Sequence, residues 1–375
     1  MAQAETMERN PLKQILNYGQ SIWYDGLISK AAFEKMIRED GIRGATTNPT
    51  IFEKALNHHD YDADIAVLSR THKEEEIYQV FALRAVQEVA DVFLPVFQET
   101  RGLDGFVSME VNPLLAFDTE ATIHEAKELF YLANRKNIMI KIPATPEGIP
   151  AVQAAIAEGI NVNVTLIFSI NRYEEVMAAY LSGLEKRVND RKPISSIASV
   201  ASFFVSRVDT AVDQLLEDKI ALENDSNRLA LLKSLLGKAG IANSKAAYAA
   251  FEKVFSSARF QRLKALGAQV QRPLWASTGT KNQNYSDVLY VEALMGPQTV
   301  NTIPPPTLDA FRDHGTAGAR LKDGLGEAME TLKKLKEAGI DLNQVTRDLE
   351  AAGVESFSGS YKKLIGCIKA KRNNR

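Results

Sequence analysis

Residues 137–145 read Asn-Ile-Met-Ile-Lys-Ile-Pro-Ala-Thr, NIMIKIPAT, an apolar run with one lysine inside it. Ile138, Met139, Ile140 and Ile142 predict a strand buried on both faces, which a parallel sheet covered by helices requires. Lys141 is out of place there as filler. A lysine held in such a strand loses hydration, its neutral amine becomes accessible near neutral pH, and it can attack a carbonyl to form a Schiff base. The plainer reading has Lys141 at the strand end, reaching water or a carboxylate. The other polar strand ends decide between the two.

Outward from this stretch, strands and helices alternate. Strands are expected at 21–25, 42–47, 105–111, 138–144, 162–168, 194–202, 273–277 and 299–303, each followed by a helical pattern. Ser29 and Gly41 bracket one helix as cap and stop, and Ile77, Val80, Leu83, Val86 and Val89 keep helical spacing through 73–100. Eight strands with no antiparallel hairpin predict a closed α/β barrel, the (β/α)8 or TIM fold. An open doubly wound sheet is the alternative, but it needs a glycine-rich phosphate turn after the first strand, and Asp25-Gly26-Leu27 is not one. Gly324-Leu325-Gly326 lacks a third glycine, and Gly237-Lys238 is followed by alanine where a P-loop needs serine or threonine.

Two segments lie outside the eight-fold unit. Residues 217–272 are rich in Ala, Leu and Lys at helical spacing and are expected to form a helical insertion after the sixth strand. The expected catalytic domain is 1–318 including that insertion, and 319–375 is expected to be a C-terminal helical extension packed on the barrel. Its basic end, Lys369 to Arg372, is expected to be solvated and frayed.

At 375 residues the chain exceeds the usual single domain, yet barrels of this kind run past ~250 residues as one unit. A hydrophobic fraction of 45% and a charged fraction of 25% exclude a disordered or fibrous chain. A net charge of -2 predicts no general affinity for nucleic acid or for an anionic membrane, so a small anionic substrate needs a local basic cluster. The single cysteine, Cys367, excludes an internal disulfide and a cysteine-based zinc site. The N-terminal stretch MAQAETMERNPLKQ lacks the apolar core of a signal peptide, and no segment approaches ~18 uninterrupted apolar residues. A cytoplasmic protein is expected. Neither metal nor cofactor is expected: His58 and His59 are adjacent and point apart on any regular element, while His72, His124 and His314 stand in helical or loop contexts.

Alternation along the strands sorts the polar residues. Asn161, Asn163 and Thr165 share one parity in the fifth strand, against Val162, Val164 and Leu166. Ser108 and Glu110 oppose Val107, Met109 and Val111, and Lys141 opposes Ile140 and Ile142. Unpartnered buried carboxylates and amides are costly, so polar residues gathered on one face of three successive strands predict a polar pocket at the barrel mouth. Asp25, at the end of the first strand, reads either as a member of that pocket or as a turn residue before Gly26. Asn48, at the end of the second, can cap the helix opened by Pro49 and still present its amide inward.

The strings GATTNPTIF, VSMEV, IKIPATPEG, NVNVTLIFS and SFFVSRVD resemble, in order and spacing, the motifs of the transaldolases, Schiff-base aldolases of the (β/α)8 class, over roughly residues 21–305. The resemblance implies transfer of a dihydroxyacetone unit from a ketose phosphate, sedoheptulose 7-phosphate or fructose 6-phosphate, to an aldose phosphate such as glyceraldehyde 3-phosphate or erythrose 4-phosphate. That reaction belongs to the pentose phosphate pathway. Carried over by motif, Lys141 matches the Schiff-base lysine and Asp25 the acid/base that takes the C4 hydroxyl proton during cleavage. Glu110 matches the carboxylate that manages a catalytic water, and Asn48, Asn163 and Thr165 match residues that hold the dihydroxyacetone hydroxyls and that water.

The resemblance sets the phosphate against Ser202 and Arg207, with Phe204 beside them. Lys281 stands where related sequences often carry a second phosphate-binding arginine; it keeps the charge but not the bidentate fork. Other readings are a solvated loop lysine for Lys281 and an ion pair with Asp209 or Asp213 for Arg207. The chain departs from the family at Phe203, where proline is frequent, and at Ser206, where glycine is frequent. A monomer or homodimer acting on phosphorylated sugars is expected. The alternatives are an enzyme like fructose-6-phosphate aldolase, which releases dihydroxyacetone to water, and a catalytically silent sugar-phosphate-binding barrel. The silent barrel is expected to have lost Lys141, Asp25 or Glu110, and all three are present.

Overall fold

The computed structural model describes residues 10–56 and 62–373. Among them eight strands run parallel: β1 Gln20–Asp25, β2 Gly44–Thr46, β3 Val107–Glu110, β4 Ile138–Pro143, β5 Val162–Ile167, β6 Ser199–Phe204, β7 Arg272–Ala276 and β8 Thr299–Ile303. Each pairs with the next, and β8 pairs back onto β1, with Ile22 opposite Asn301. The ring is therefore a closed (β/α)8 barrel.

The two strand faces pack into different layers, as the period of two requires. Ile22, Tyr24, Val107, Ile140, Ile142, Val162 and Val164 point out against the helices. Trp23, Met139, Val200, Leu274 and Val300 fill the interior. Each fully buried aliphatic side chain of this kind contributes about 1.5–3 kcal/mol relative to exposure. A truncation such as Leu274→Ala, at a residue with no exposed surface, is expected to cost about 2–5 kcal/mol. At the barrel floor Arg272 donates to Asp104 Oδ1 (2.8 Å) and to Ser21 Oγ (2.8 Å), which itself donates to Asp104 Oδ2 (2.7 Å). This closed set makes the burial of one charge depend on the other.

Local sequence places the helices between the strands. Ser29, Asp118, Ser169 and Asp225 each accept a backbone N–H from the first turn of the helix they precede. Gly41 and Gly159 end their helices in the left-handed conformation. After β6 the chain continues through helices Ser206–Leu222, Ser226–Leu235, Ala239–Phe255 and Ala258–Ala265 before it returns as β7. Residues 319–373 supply Leu325–Glu337, which packs on Ala239–Phe255, and the long last helix Leu342–Asn373.

The structure departs from the sequence expectation at four places. β6 begins at Ser199, not at 194, because the chain turns after Pro193, with Ile197 N bonded to Ile194 O, before it can pair. The strand therefore reaches Phe204. β2 is confined to Gly44–Thr46. In β5 the register shifts between Val164 and Ile167, with Leu166 at φ 58°, so Leu166 leaves the outward face of Val162 and Val164 and joins the interior cluster. The last helix comes so close there that a Cβ on Gly353 would meet Leu166 Cδ2 at 2.9 Å. Finally, the basic end is helical and tied down: Lys371 pairs with Asp62 (2.6 Å) and Arg372 with Glu74 (3.0 Å).

The last helix runs across the barrel mouth. Its Glu350 meets Arg172 after β5 (3.2 Å), its Ser360 meets Thr50 after β2 (2.9 Å), and its Tyr361 hydroxyl accepts from Asn112 after β3 (3.3 Å). No described helix is long and apolar enough to cross a membrane.

Candidate active site

At the C-terminal ends of the strands a cavity of about 190 Å³ opens, its wall drawn from β1, β2, β4, β5, β6, β7, β8 and the last helix. Eight of the ten residues singled out from sequence line it: Asp25, Asn48, Lys141, Thr165, Ser202, Phe204, Arg207 and Lys281. Glu110 and Asn163 are not among its lining residues and flank Lys141 on the neighbouring strands. A larger cavity, about 410 Å³, opens between helices among Leu27, Phe52, Phe81 and Val92. It is mainly apolar and lies off the strand ends.

Lys141 is 6% exposed. Its Nζ donates to Thr47 O (3.3 Å), lies 3.7 Å from Glu110 Oε2, and faces the Phe357 ring at 5.6 Å from the centroid. The register puts Glu110 directly beside Lys141 and Lys141 beside Asn163. The amine is thus held by strand pairing rather than by a loop. Burial pushes the Glu110 carboxyl up to about 7, against the pull of the Lys141 charge. Burial also raises Asp25, opposed in turn by Lys141, by the hydrogen bond from Thr46 Oγ1 (3.0 Å), and by Lys281 and Arg207. An amine with two acids of raised affinity for protons can form an imine and exchange protons with its substrate.

The amides and hydroxyls form one chain. Ser202 Oγ donates to Asn163 Oδ1 (2.7 Å), and Asn163 Nδ2 donates to Ser108 Oγ (2.9 Å). This holds Asn163 behind Lys141 and leaves Ser202 in the cavity wall. Thr165 Oγ1 is buried with no hydrogen-bond partner among the described residues. Asn48 accepts Ile51 N on Oδ1 (3.0 Å), capping its helix while it lines the cavity. Both uses of that residue hold together.

The basic end is built by Arg207 and Lys281. Arg207 carries no ion pair among the described residues; its guanidinium lies over the Phe204 ring, 5.1 Å from the centroid. Asp209 instead accepts Gly240 N (2.6 Å), and Asp213 accepts Gly237 N (2.9 Å) and the Tyr285 hydroxyl (2.7 Å). The insertion helices therefore occupy both carboxylates and leave Arg207 to the cavity. The family departures fall outside it. Phe203 packs edge-on against Trp275 and Tyr173 in the outer layer, and Ser206 shares a hydrogen bond with Ser277 (2.9 Å).

The sequence reading missed Thr46, Thr302, Ser277 and Phe357, all in the cavity wall. Thr46 and Thr302 share a 2.6 Å hydrogen bond across β1, and the alternation in 299–303 could have pointed Thr302 inward. Phe357 leaves no local signal, since only the crossing of the last helix brings it there. Among the described residues no group of three or more His, Cys, Asp or Glu side chains is disposed to hold a metal ion.

The sequence model of the transaldolase/fructose-6-phosphate aldolase family matches residues 22–368. The chain is 45% identical to a transaldolase of Trichodesmium erythraeum over 373 residues, covering 97% of this chain and 98% of that one. It is 46% identical to a transaldolase of Mycobacterium ulcerans over 360 residues, 94% of each chain. It is 46% identical to one of Thermobifida fusca over 363 residues, 95% of this chain and 96% of the other.

Proposed function

The chain belongs to the transaldolase/fructose-6-phosphate aldolase family, and from that premise we propose that Lys141, Asp25 and Glu110 carry a transaldolase reaction. In that reaction a dihydroxyacetone unit passes from a ketose phosphate to an aldose phosphate through a lysine imine, a step of the pentose phosphate pathway. The observation that carries the assignment is the buried Lys141 amine, 3.7 Å from Glu110 and in one cavity with Asp25, Arg207 and Lys281.

Lys141, as the neutral amine, attacks the ketose C2 carbonyl. Glu110 gives a proton to the departing C2 hydroxyl, and water leaves as the imine forms. Asp25 then takes the C4 hydroxyl proton, and the C3–C4 electrons flow into the protonated imine, so no metal is needed for that step. The aldehyde leaves, an aldose phosphate takes its place, and the same steps run backward. Asn48, Asn163 and Thr165 hold hydroxyls and water, while Ser202, Arg207 and Lys281 hold the phosphate, with Phe204 behind the guanidinium.

The working unit is the barrel of 1–318 with its 217–272 insertion and the 319–375 extension, which contributes Phe357 to the wall. A monomer or a homodimer fits, because every named residue comes from one chain. A cytoplasmic location fits its phosphorylated sugars.

Borohydride reduction in the presence of fructose 6-phosphate tests the assignment. The expected result is one reduced adduct on the peptide that contains Lys141, absent in Lys141→Ala. Stoichiometric trapping by Lys141→Ala overturns it.

A further inference from the structure

A second cavity, also about 190 Å³, lies at the end of β3 beneath the helices Glu74–Glu99, Thr119–Ala133 and Leu342–Asn373. Glu110 lines this cavity and not the sugar cavity, which it meets only through Lys141 Nζ at 3.7 Å. The catalytic pair therefore divides between two spaces. The charges of those spaces are opposite. The sugar cavity carries Arg207 and Lys281, while the second carries Glu75, Glu76, Glu110, Glu125 and Glu128 with no cation among its described lining. A sugar phosphate is repelled from it, and no group of its described side chains is disposed to hold a metal ion.

What it suits is a small neutral polar molecule. Glu110 is 8% exposed, and its buried Oε2, 3.7 Å from Lys141 Nζ, makes no hydrogen bond within 3.5 Å among the described residues. The opposite wall is fixed. Asn112 donates its N–H to Glu125 Oε2 (2.8 Å) and its Nδ2 to the Tyr361 hydroxyl (3.3 Å), and the Tyr361 and Tyr78 rings meet edge-to-face at 5.5 Å. The volume far exceeds the ~10–15 Å³ that one water needs.

Imine formation releases one water at Glu110 while the ketose fills the other cavity under Phe357. We propose that the acid-lined cavity is the port through which this water leaves and the water of imine hydrolysis returns, with Glu125 as the positioning residue that holds it opposite Glu110. The balance is simple. On formation the C2–O bond breaks, the nitrogen lone pair closes C=N, and the Glu110 proton leaves with the hydroxyl as water. On hydrolysis Glu110 takes a proton from the returning water as its oxygen bonds C2. The port rests on the assignment of Lys141 and Glu110 made above.

Oxygen exchange reads the port directly. Fructose 6-phosphate is incubated with the full-length enzyme in ¹⁸O-water, without acceptor, and label at C2 is measured above the enzyme-free rate. Imine is trapped in parallel with borohydride. In Gln79→Trp, which fills the cavity, exchange is expected to be lost while the yield of trapped Lys141 imine is kept. In the isosteric Glu125→Gln, exchange slows with the same trapping yield. Wild-type exchange rates in both variants, with trapping intact, overturn the port and leave the site assignment standing. Absence of Lys141 trapping in the wild type, or full exchange in Glu110→Gln, instead brings down the assignment beneath it.

Discussion

The Phe357 ring lies 5.6 Å from Lys141 Nζ, so the last helix supplies the wall opposite the amine. Both residues are buried, Phe357 to 5% exposure. A cation over an aromatic face gains about 0.5–2 kcal/mol, and in the proposed reaction the charged species there is the protonated imine. Phe357→Leu keeps the cover but removes the face, so kcat/KM for fructose 6-phosphate is expected to fall about 3- to 30-fold with little change in Tm. Steady-state kinetics that match the wild type would show that the ring only fills space.

Asp25 shares the cavity with Lys141, its carboxyl raised chiefly by burial and held by Thr46 at 3.0 Å. It is assigned to cleavage and not to imine formation, so the two steps should separate. Asp25→Ala is expected to trap a borohydride adduct on Lys141 at wild-type yield while turnover drops by about 10²- to 10⁴-fold. Loss of the adduct together with turnover would move Asp25 into the imine step.

Alternation made much of this site legible before any coordinates. The parity that set Ser108, Glu110 and Lys141 against their apolar neighbours puts Val107, Met109, Ile140 and Ile142 in the outer layer, sets Lys141 in the cavity wall and brings Ser108 and Glu110 to Asn163 and Lys141, because successive side chains of a strand alternate faces. That logic fails where the backbone breaks its own period. The left-handed Leu166 turns the end of β5, and the turn after Pro193 delays β6 until Phe204 falls within it. Phe357 was illegible for a different reason: its role depends on a packing direction of the last helix, set by distant contacts such as Glu350–Arg172 and Thr50–Ser360. The fate of Arg207 was ambiguous in sequence and was decided by Gly237 and Gly240, whose amides take Asp213 and Asp209.

With both carboxylates occupied, the Arg207 guanidinium lies over Phe204 in the cavity wall, where phosphate binding is its proposed role. A hydrogen bond to a charged group is worth about 1.5–3 kcal/mol. Arg207→Ala is therefore expected to raise KM for phosphorylated sugars about 10- to 100-fold with a smaller effect on kcat. Lys281→Ala should act in the same direction and less, since an ammonium gives a point charge without the planar fork. A KM for fructose 6-phosphate unchanged by Arg207→Ala would remove the arginine from phosphate binding.

Glu125 offers a stability test apart from catalysis. Burial pushes its carboxyl up to about 7, the Asn112 N–H opposes that, and Glu128 adds to it. The folded-state value lies above the ordinary 4.5, so the folded protein binds the proton more tightly than the unfolded chain. The stabilisation is complete below the unfolded value and is lost as pH rises through about 7. Glu125→Gln keeps an acceptor for Asn112 and removes the titration. In urea melts it is expected to be more stable than the wild type by about 1–3 kcal/mol near pH 8 and about equal near pH 4.5. A difference that does not change with pH would contradict the burial of that carboxyl.

Glu110 carries the same sign into the rate. Its carboxyl is pushed to about 7 by burial, with the Lys141 charge pulling the other way, and in the proposed reaction it must hold a proton to expel the C2 hydroxyl. Below about pH 7 the protonated form dominates; above it that form declines tenfold per pH unit. The rate of imine formation from fructose 6-phosphate, read by rapid mixing and borohydride quench, is expected to fall as pH rises through about 7. Loss of that Glu110 limb is diagnostic of the proton it supplies. Glu110→Gln should abolish that fall and lower the plateau by about 10²- to 10⁴-fold. If the variant instead keeps both the wild-type plateau and the decline near pH 7, the proton comes from another group, and Asp25, whose carboxyl burial also raises, is the next to replace.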